Sequence, residues 1–136
     1  MKYIKLFENY SYDETKKLSS HLTNIILEYG YTVNGYLDGS KITQEFNRNN
    51  LWIFAIIVNS NRLALKKTFR FHIDDLAEFL SYEYLPNLDG IKLEFVDANS
   101  VNFSIERDIN SIISQINEED FKMKFDVWLT AKKYNL

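Results

Sequence analysis

Four basic side chains, in two stretches of alternating apolar and polar residues, could together bind an anion. Lys66 and Arg70 lie in one stretch, and Lys122 and Lys124 lie in the other. In an extended strand, residues at even spacing share one face of the sheet. If the two strands are neighbours, the four cations form a positive surface suited to a phosphate-bearing ligand. The alternative interpretation of these residues is scattered solubilising charge.

Histidine and aspartate offer a weaker candidate for metal chemistry. His72, Asp74 and Asp75 could form one corner of a metal site, but no third ligand motif accompanies them. Capping of a following helix also explains the two aspartates. His21 flanks the apolar stripe of a predicted helix, which is typical of a boundary residue. We therefore expect no bound metal and no cofactor.

The sequence contains no catalytic motif. The chain has no cysteine, which excludes thiolate nucleophiles and disulfides. It also lacks a glycine-rich phosphate loop and the Gly-x-Ser-x-Gly elbow. We assign no catalytic residue and expect a protein without enzymatic activity. The alternative is a small hydrolase that uses the four cations above.

Aromatic residues are abundant, with nine tyrosines, ten phenylalanines and two tryptophans. Too many tyrosines are present for all of them to lie in the core. Exposed tyrosine beside apolar neighbours is typical of interaction surfaces, although packing at the edge of the core is the alternative. The predicted interaction surface consists of Tyr29, Tyr31, Tyr36, Tyr82, Tyr84 and Trp128.

Length and charge limit the class of protein. The 136 residues fit a single domain over positions 1–136. A net charge of -3 argues against a nucleic-acid partner. No apolar run approaches the roughly 20 residues that span a bilayer, so we expect no membrane association. The prediction is a soluble, cytoplasmic protein.

Residues 51–58 form the stretch around which the predicted fold is organised. They contain no polar side chain and are flanked by asparagines, and their β-branched and aromatic content favours a strand. Both faces of this strand are apolar, which predicts an interior strand covered on both sides. Trp52, Phe54, Ile56 and Ile57 are expected to be almost fully buried.

The other segments surround this strand in a predicted α+β fold with a mostly antiparallel sheet and helices packed on it. Its order is α-β-β-β-β-α-β-β-α-β. Ser11 and Glu14 suggest a capping box at the first helix, and Asp38-Gly39 suggests a hairpin turn. The segments are a helix over 11–29, a hairpin over 31–46, a strand over 62–71, a helix over 72–84, a hairpin over 91–106, a short helix after Asp108 and a strand over 121–129.

The first ten residues combine a Met-Lys start, an aromatic-rich amphipathic stretch and the tripeptide Leu6-Phe7-Glu8. This stretch resembles the N-terminal leader of internal and capsid-targeted proteins of large contractile-tailed phages. Those leaders are cut after a tripeptide of Ile or Leu, any residue, and Glu. The resemblance implies a virion-associated protein that loses residues 1–8, and the alternative is an ordinary N-terminal segment that packs on the domain. Because internal phage proteins include some that disarm host defences, it also implies an inhibitor of a host defence function.

Two functions from different classes follow from the sequence. The first is a non-enzymatic protein-interaction module that binds a protein partner or itself as a homodimer. Helices of modest length are not expected to cover both faces of so many strands, so aromatic and apolar area is left for a partner. The second is a small binder or hydrolase of an anionic ligand such as a nucleotide. A flat apolar patch favours the first function, whereas a pocket containing the cations favours the second.

Overall fold

The computed structural model describes residues 2–68 and 74–135, with side chains described from residue 13 onward. Arg70 and His72 lie outside the described residues, as do the side chains of the leader-like tripeptide. The helices are α1 Lys2–Leu27, α2 Asp75–Phe79, α3 Ile109–Ile113 and α4 Glu118–Lys133, and a π-helical turn Leu80–Tyr84 and a 3₁₀ turn Leu85–Asn87 follow α2. The strands are β1 Thr32–Asp38, β2 Lys41–Arg48, β3 Leu51–Asn59, β4 Arg62–Lys67, β5 Ile91–Val96 and β6 Ser100–Ile105.

The six strands form one antiparallel sheet in the order β1-β2-β3-β4-β6-β5. Strand β3 contains the apolar stretch and lies inside the sheet, as predicted. The four strands after α1 form a meander, and β5 and β6 form the second predicted hairpin. The predicted α+β class with a mostly antiparallel sheet is confirmed.

One face of the sheet holds the core. The side chains that strand register places on this face include Phe46, Phe54, Ile56, Leu65 and Phe103, and each is 1% exposed or less. Residues from all four helices pack against them in a single cluster: Leu22, Ile26, Phe79, Leu80, Ile112, Phe121 and Phe125. Burial of this apolar area is the main source of stability for the domain.

The opposite face lacks a helical layer in the described part of the chain. Phe54 and Ile56 are fully buried, as predicted, but Trp52 and Ile57 are only partly buried. Within the described part of the chain, the prediction that β3 is covered on both faces is therefore wrong. The apolar run suggested two layers, but the most buried residue of β3 on the second face is the small Ala55.

The segment predicted as a final strand over 121–129 is instead part of helix α4. Its apolar residues alternate, but Phe121 and Phe125 are also spaced correctly for one helical face. The side chain of Asn117 caps the helix by accepting a hydrogen bond from the Asp120 amide at 3.1 Å. Three acidic residues in the first turn and two lysines in the last turn favour the helix dipole. Met123 therefore lies in solvent at 59% exposure.

Two predicted boundaries also change. Helix α1 begins at Lys2 and continues through Ser11, so the capping box predicted at Ser11 does not start this helix. Asp38 pairs with Lys41, which places the hairpin turn at Gly39-Ser40, one residue later than predicted. Gly39 has a φ of +63°, a conformation that glycine adopts without strain. A helix was predicted over 72–84, and among the described residues of that range Asp75–Phe79 is α-helical and Leu80–Tyr84 is a π-helical turn.

Candidate functional site

The uncovered face of the sheet, here called the open face, is organised in rows that cross the strands. Its central row spans all six strands, because each residue pairs with the next across the sheet. In spatial order the central row is Tyr36, Thr43, Ile57, Ala64, Asn102 and Phe95.

The central row exposes aromatic side chains at both ends and apolar residues in the middle. Tyr36 on edge strand β1 is 46% exposed, and Phe95 on edge strand β5 is 50% exposed. Ile57 and Ala64 between them are half-buried. The Tyr36 hydroxyl donates a hydrogen bond to the Glu45 carboxylate, and this bond raises the pKa of Tyr36. The row is thus a continuous and partly apolar band across the whole sheet.

Charged residues lie on both sides of the central row, with carboxylates in excess on β1 and β2 and cations in excess on β4 and β5. On one side, Glu45, Ala55, Lys66 and Ser100 follow one another across four strands. On the other side lies the row Asp38, Lys41, Asn59, Arg62, Ser104 and Lys92. The carboxylates Asp38 and Glu45 are on β1 and β2, whereas Lys66 and Lys92 are on β4 and β5. An apolar centre with a charged rim is the usual anatomy of a protein interface.

Arginine and glutamate add one ion pair to this rim. Arg62 on β4 contacts Glu94 on β5, with 2.6 Å between Nη1 and Oε2. Both partners are partly exposed, so the pair contributes little to stability. The pair joins β4 to β5 across β6. Lys66 on β4 and Lys92 on β5 are exposed to solvent on the same half of the sheet.

The structure does not bring the predicted anion-binding residues together. Lys66 is exposed on the open face, whereas α4, which carries Lys122 and Lys124, packs on the core face. Lys122 and Lys124 are two residues apart on a helix, so their side chains are rotated by about 200° from each other around the helix axis. In the predicted strand they would have shared one face. Lys124 forms an ion pair with Asp120 at 2.9 Å, and Lys122 lines a small cleft beside Glu28, Tyr29 and Glu118. The fourth predicted residue, Arg70, lies outside the described residues.

Two of the predicted interaction tyrosines belong to the core. Tyr31 is 5% exposed and Tyr84 is 3% exposed. The Tyr31 hydroxyl donates to Asp74 at 2.5 Å, and the Arg48 guanidinium lies 4.0 Å from the centre of its ring. Burial and the hydrogen bond to Asp74 raise the pKa of Tyr31, and burial raises the pKa of Tyr84 to about 12. Both side chains therefore contribute mainly to the core of the domain.

The other predicted aromatics lie at the edge of the core or in solvent. Tyr29 packs edge-on against Phe125 with ring centres 5.3 Å apart, and Trp128 stacks on Phe125 at 6.2 Å. Tyr82 is 46% exposed. Tyr36 is thus the one residue of the predicted interaction set that strand register places on the open face.

A buried lysine beside Tyr82 was not identified from the sequence as a special residue. Lys67 at the end of β4 is 5% exposed, and its Nζ lies 4.6 Å from the centre of the Tyr82 ring. Burial lowers the pKa of Lys67 to about 8. Alternation along β4 places Lys67 opposite Lys66, but sequence alone could not show that a helix covers that face.

An apolar groove of about 520 Å³ lies between the π-helical turn and α4. Phe79, Tyr84, Met123 and Val127 form its apolar walls, and Lys124 lies at its rim. Val127 is 65% exposed, and the Tyr84 hydroxyl has no hydrogen-bond partner among the described residues. The groove joins two residues that were predicted for different sites, Tyr84 and Lys124.

Other residues of the open face could not be recognised from the sequence. Ala64 and Asn102 have no distinguishing type, and Phe95 looks like a core residue because it alternates with Glu94. Phe95 projects to the open face because a register shift between Leu93 and Phe95 interrupts the pairing of β5 with β6. The sequence did contain one relevant feature, since Ile57 lies on the second apolar face of β3. That apolar face was interpreted as buried, but Ile57 is only half-buried.

Two further properties concern only the described residues. Nowhere in residues 2–68 and 74–135 do three histidine, aspartate or glutamate side chains come close enough to hold a metal ion. Asp74 caps α2 by accepting from the Ala77 amide at 2.8 Å, as the capping interpretation predicted, whereas His72 is outside the described part. None of the described helices combines the length and the apolar character needed to cross a membrane.

No family model, curated protein or solved structure gives a significant match to the chain.

Proposed function

We propose that the chain is a protein-interaction module without enzymatic activity and that the open face is its binding surface. The observation that carries this proposal is the central row, in which exposed Tyr36, half-buried Ile57 and exposed Phe95 lie in one line across six strands. Helices cover the other face of the same sheet. A sheet with one face that no described helix covers, and with partly apolar residues on that face, presents a ready surface for another protein.

The chemistry of the open face favours a protein partner over a small ligand. The face is built from cross-strand rows on a sheet. The aromatic side chains at its ends can bury apolar area while their rings remain rigid, which makes aromatic residues frequent contributors to binding energy. Lys66 has no second described cation among its cross-strand neighbours, Ala55 and Ser100. Among the described residues, the anionic-ligand alternative therefore lacks the clustered cations on which it was based.

The leader resemblance supports a narrower proposal about the biological setting. Under that proposal the chain is packaged in a phage virion and inhibits a host defence function after loss of residues 1–8. Co-production with a phage prohead protease tests the first step. The expected product begins at Asn9, and a Glu8→Gln variant should stay intact. An uncut wild-type chain would contradict the leader assignment without affecting the proposal for the open face.

Site-specific photo-crosslinking tests the binding surface. A photoreactive phenylalanine analogue replaces Ile57 on the open face or Val127 on α4, in cells that produce the chain. Both positions carry apolar side chains, and they lie on different sides of the domain. We expect a defined protein adduct from position 57 and none from position 127. Equal adduct patterns from both positions, or no adduct at position 57, would contradict the proposal.

A further inference from the structure

The two halves of the open face are complementary to each other in charge and shape. The half formed by β1 and β2 contains the carboxylates Asp38 and Glu45, one cation, Lys41, and the exposed ring of Tyr36. The half formed by β4, β6 and β5 contains Lys66 and Lys92, together with the exposed ring of Phe95. Its only other described charges on this face are Arg62 and Glu94, which form an ion pair with each other. The middle of the face, on β3 and β4, is formed by the small or apolar residues Ala55, Ile57 and Ala64. A surface of this kind fits a second copy of itself.

We infer that the open face binds a second copy of this chain, with the two sheets packed face to face about a two-fold axis parallel to the strands. This inference rests on the proposed function and names the partner. A two-fold interface uses the same patch on both copies. Aligned sheets pack about 10 Å apart, which is a distance that side chains from both faces can fill.

The two-fold axis specifies which strands face each other. Because the order is β1-β2-β3-β4-β6-β5, the axis lies between β3 and β4 and places β1 of one copy over β5 of the other. In the central row, Tyr36 of one copy then faces Phe95 of the other, and Ile57 faces Ala64. These contacts pair aromatic with aromatic at the ends and large with small in the middle, which favours interdigitation.

The same axis pairs opposite charges along the rim. Asp38 on β1 of one copy faces Lys92 on β5 of the other, since both residues end the same row. Glu45 on β2 faces Ser100 on β6, and the other copy's Lys66 lies one strand away. Both members of the Asp38–Lys92 pair are exposed in the single chain. Complementary rim charges of this kind set orientation and exclude wrong registers.

The area of the open face is sufficient for such a dimer. Six strands about 4.8 Å apart and about seven residues long, at roughly 3.3 Å per residue, give a flat area of roughly 650 Å². Side-chain relief increases this value. A standard specific interface buries about 800 Å² on each partner. The open face therefore matches the usual size of an interface between two proteins of this size.

Charge exchange at the rim tests this inference with purified protein. Sedimentation velocity over a dilution series should show a species of twice the 16.1 kDa chain mass. Asp38→Lys places a lysine opposite Lys92 of the other copy, and Lys92→Asp places an aspartate opposite Asp38. Each variant alone should raise the dimer dissociation constant about tenfold or more. A mixture of the two variants should form heterodimers of near wild-type affinity, because both rim pairs become opposite in charge.

Two further variants provide controls. Ile57→Glu should prevent dimerisation, because it places a charge in the apolar centre, whereas Val127→Glu on α4 should leave it unchanged. Circular dichroism establishes that each variant is folded. A monomer at every concentration, or single variants that the mixture does not rescue, would overturn the inference. If position 57 then crosslinks only to a different protein, the proposed function stands without the dimer; if it crosslinks to nothing, both fail.

Discussion

Replacing Phe54 and Ile57 separately with alanine compares the two faces of the same strand. Phe54 is fully buried, with ring centres 4.9 Å from Phe46 and 5.5 Å from Tyr31. Phe54→Ala removes these contacts and leaves a cavity, so we expect a loss of about 3–5 kcal/mol in the free energy of unfolding. Ile57 is half-buried on the open face, so Ile57→Ala should cost less than about 2 kcal/mol.

Urea denaturation measures both losses, and it is best done at a protein concentration low enough to keep the chain monomeric. Lys92→Asp as a common background removes the contribution of association to unfolding. The slope of the free energy against urea should remain unchanged, because both variants expose the same surface on unfolding. Equal losses at the two positions would refute the assignment of one covered face and one open face. A larger loss at Ile57 would reverse it.

Three more predictions concern polar groups beside the core. Asp74→Ala should lower the free energy of unfolding, measured by urea denaturation, by about 2–4 kcal/mol, because it removes the cap of α2 and the hydrogen-bond acceptor of Tyr31. The neighbouring control Asp75→Ala should lower it by less than about 1 kcal/mol. Tyr84→Phe should leave the melting temperature unchanged or raise it, because the lost hydroxyl has no described partner, and a large decrease would contradict this. Lys67 has a folded pKa of about 8, below its ordinary value of 10.5, so wild type should gain stability relative to Lys67→Met between about pH 8 and 10.5. A difference between the two that stays constant over this range would contradict burial of the amine.

The sign of the Lys67 prediction follows from proton binding. Between the folded and unfolded pKa values, the unfolded chain binds the proton and the folded chain does not. Stability therefore rises with pH in this window for wild type, and the Met variant lacks this rise. Comparing the two proteins at each pH removes the contribution of tyrosines such as Tyr84, whose raised pKa lowers stability above about pH 10 in both proteins.

The sequence predicted the fold well where local patterns and burial agree. The apolar residues 51–58 specify an interior strand, and their flanking asparagines specify its ends; Asn49 and Asn50 adopt positive φ values of 55° and 62° there. The last segment failed because Phe121, Met123, Phe125 and Val127 satisfy the periods of both strand and helix. The deciding information was the cap at Asn117 and the charges of the flanking turns, which a count of alternation ignores.

The candidate site could be predicted only in part, since it depends on register between strands distant in sequence. Tyr36 was identified as an interaction residue, and Lys66 was identified as an exposed cation on an outer strand face. Their connection through Thr43, Ile57 and Ala64 requires the pairing of β1 to β4, which composition does not specify. Burial of Tyr31 and Tyr84 likewise depends on contacts with distant segments, since Tyr31 bonds to Asp74 and Tyr84 packs on Phe121.

Cysteine labelling of the open face tests the central claim most directly. The chain contains no natural cysteine, so Ala64→Cys and Val127→Cys each give a single reactive thiol. The measurement is the maleimide labelling rate of position 64 relative to position 127, in producing cells and in dilute purified protein. If a protein covers the open face, this ratio should be several-fold lower in cells than in dilute solution. The same ratio in both settings would show that the open face stays in water and would contradict a binding role.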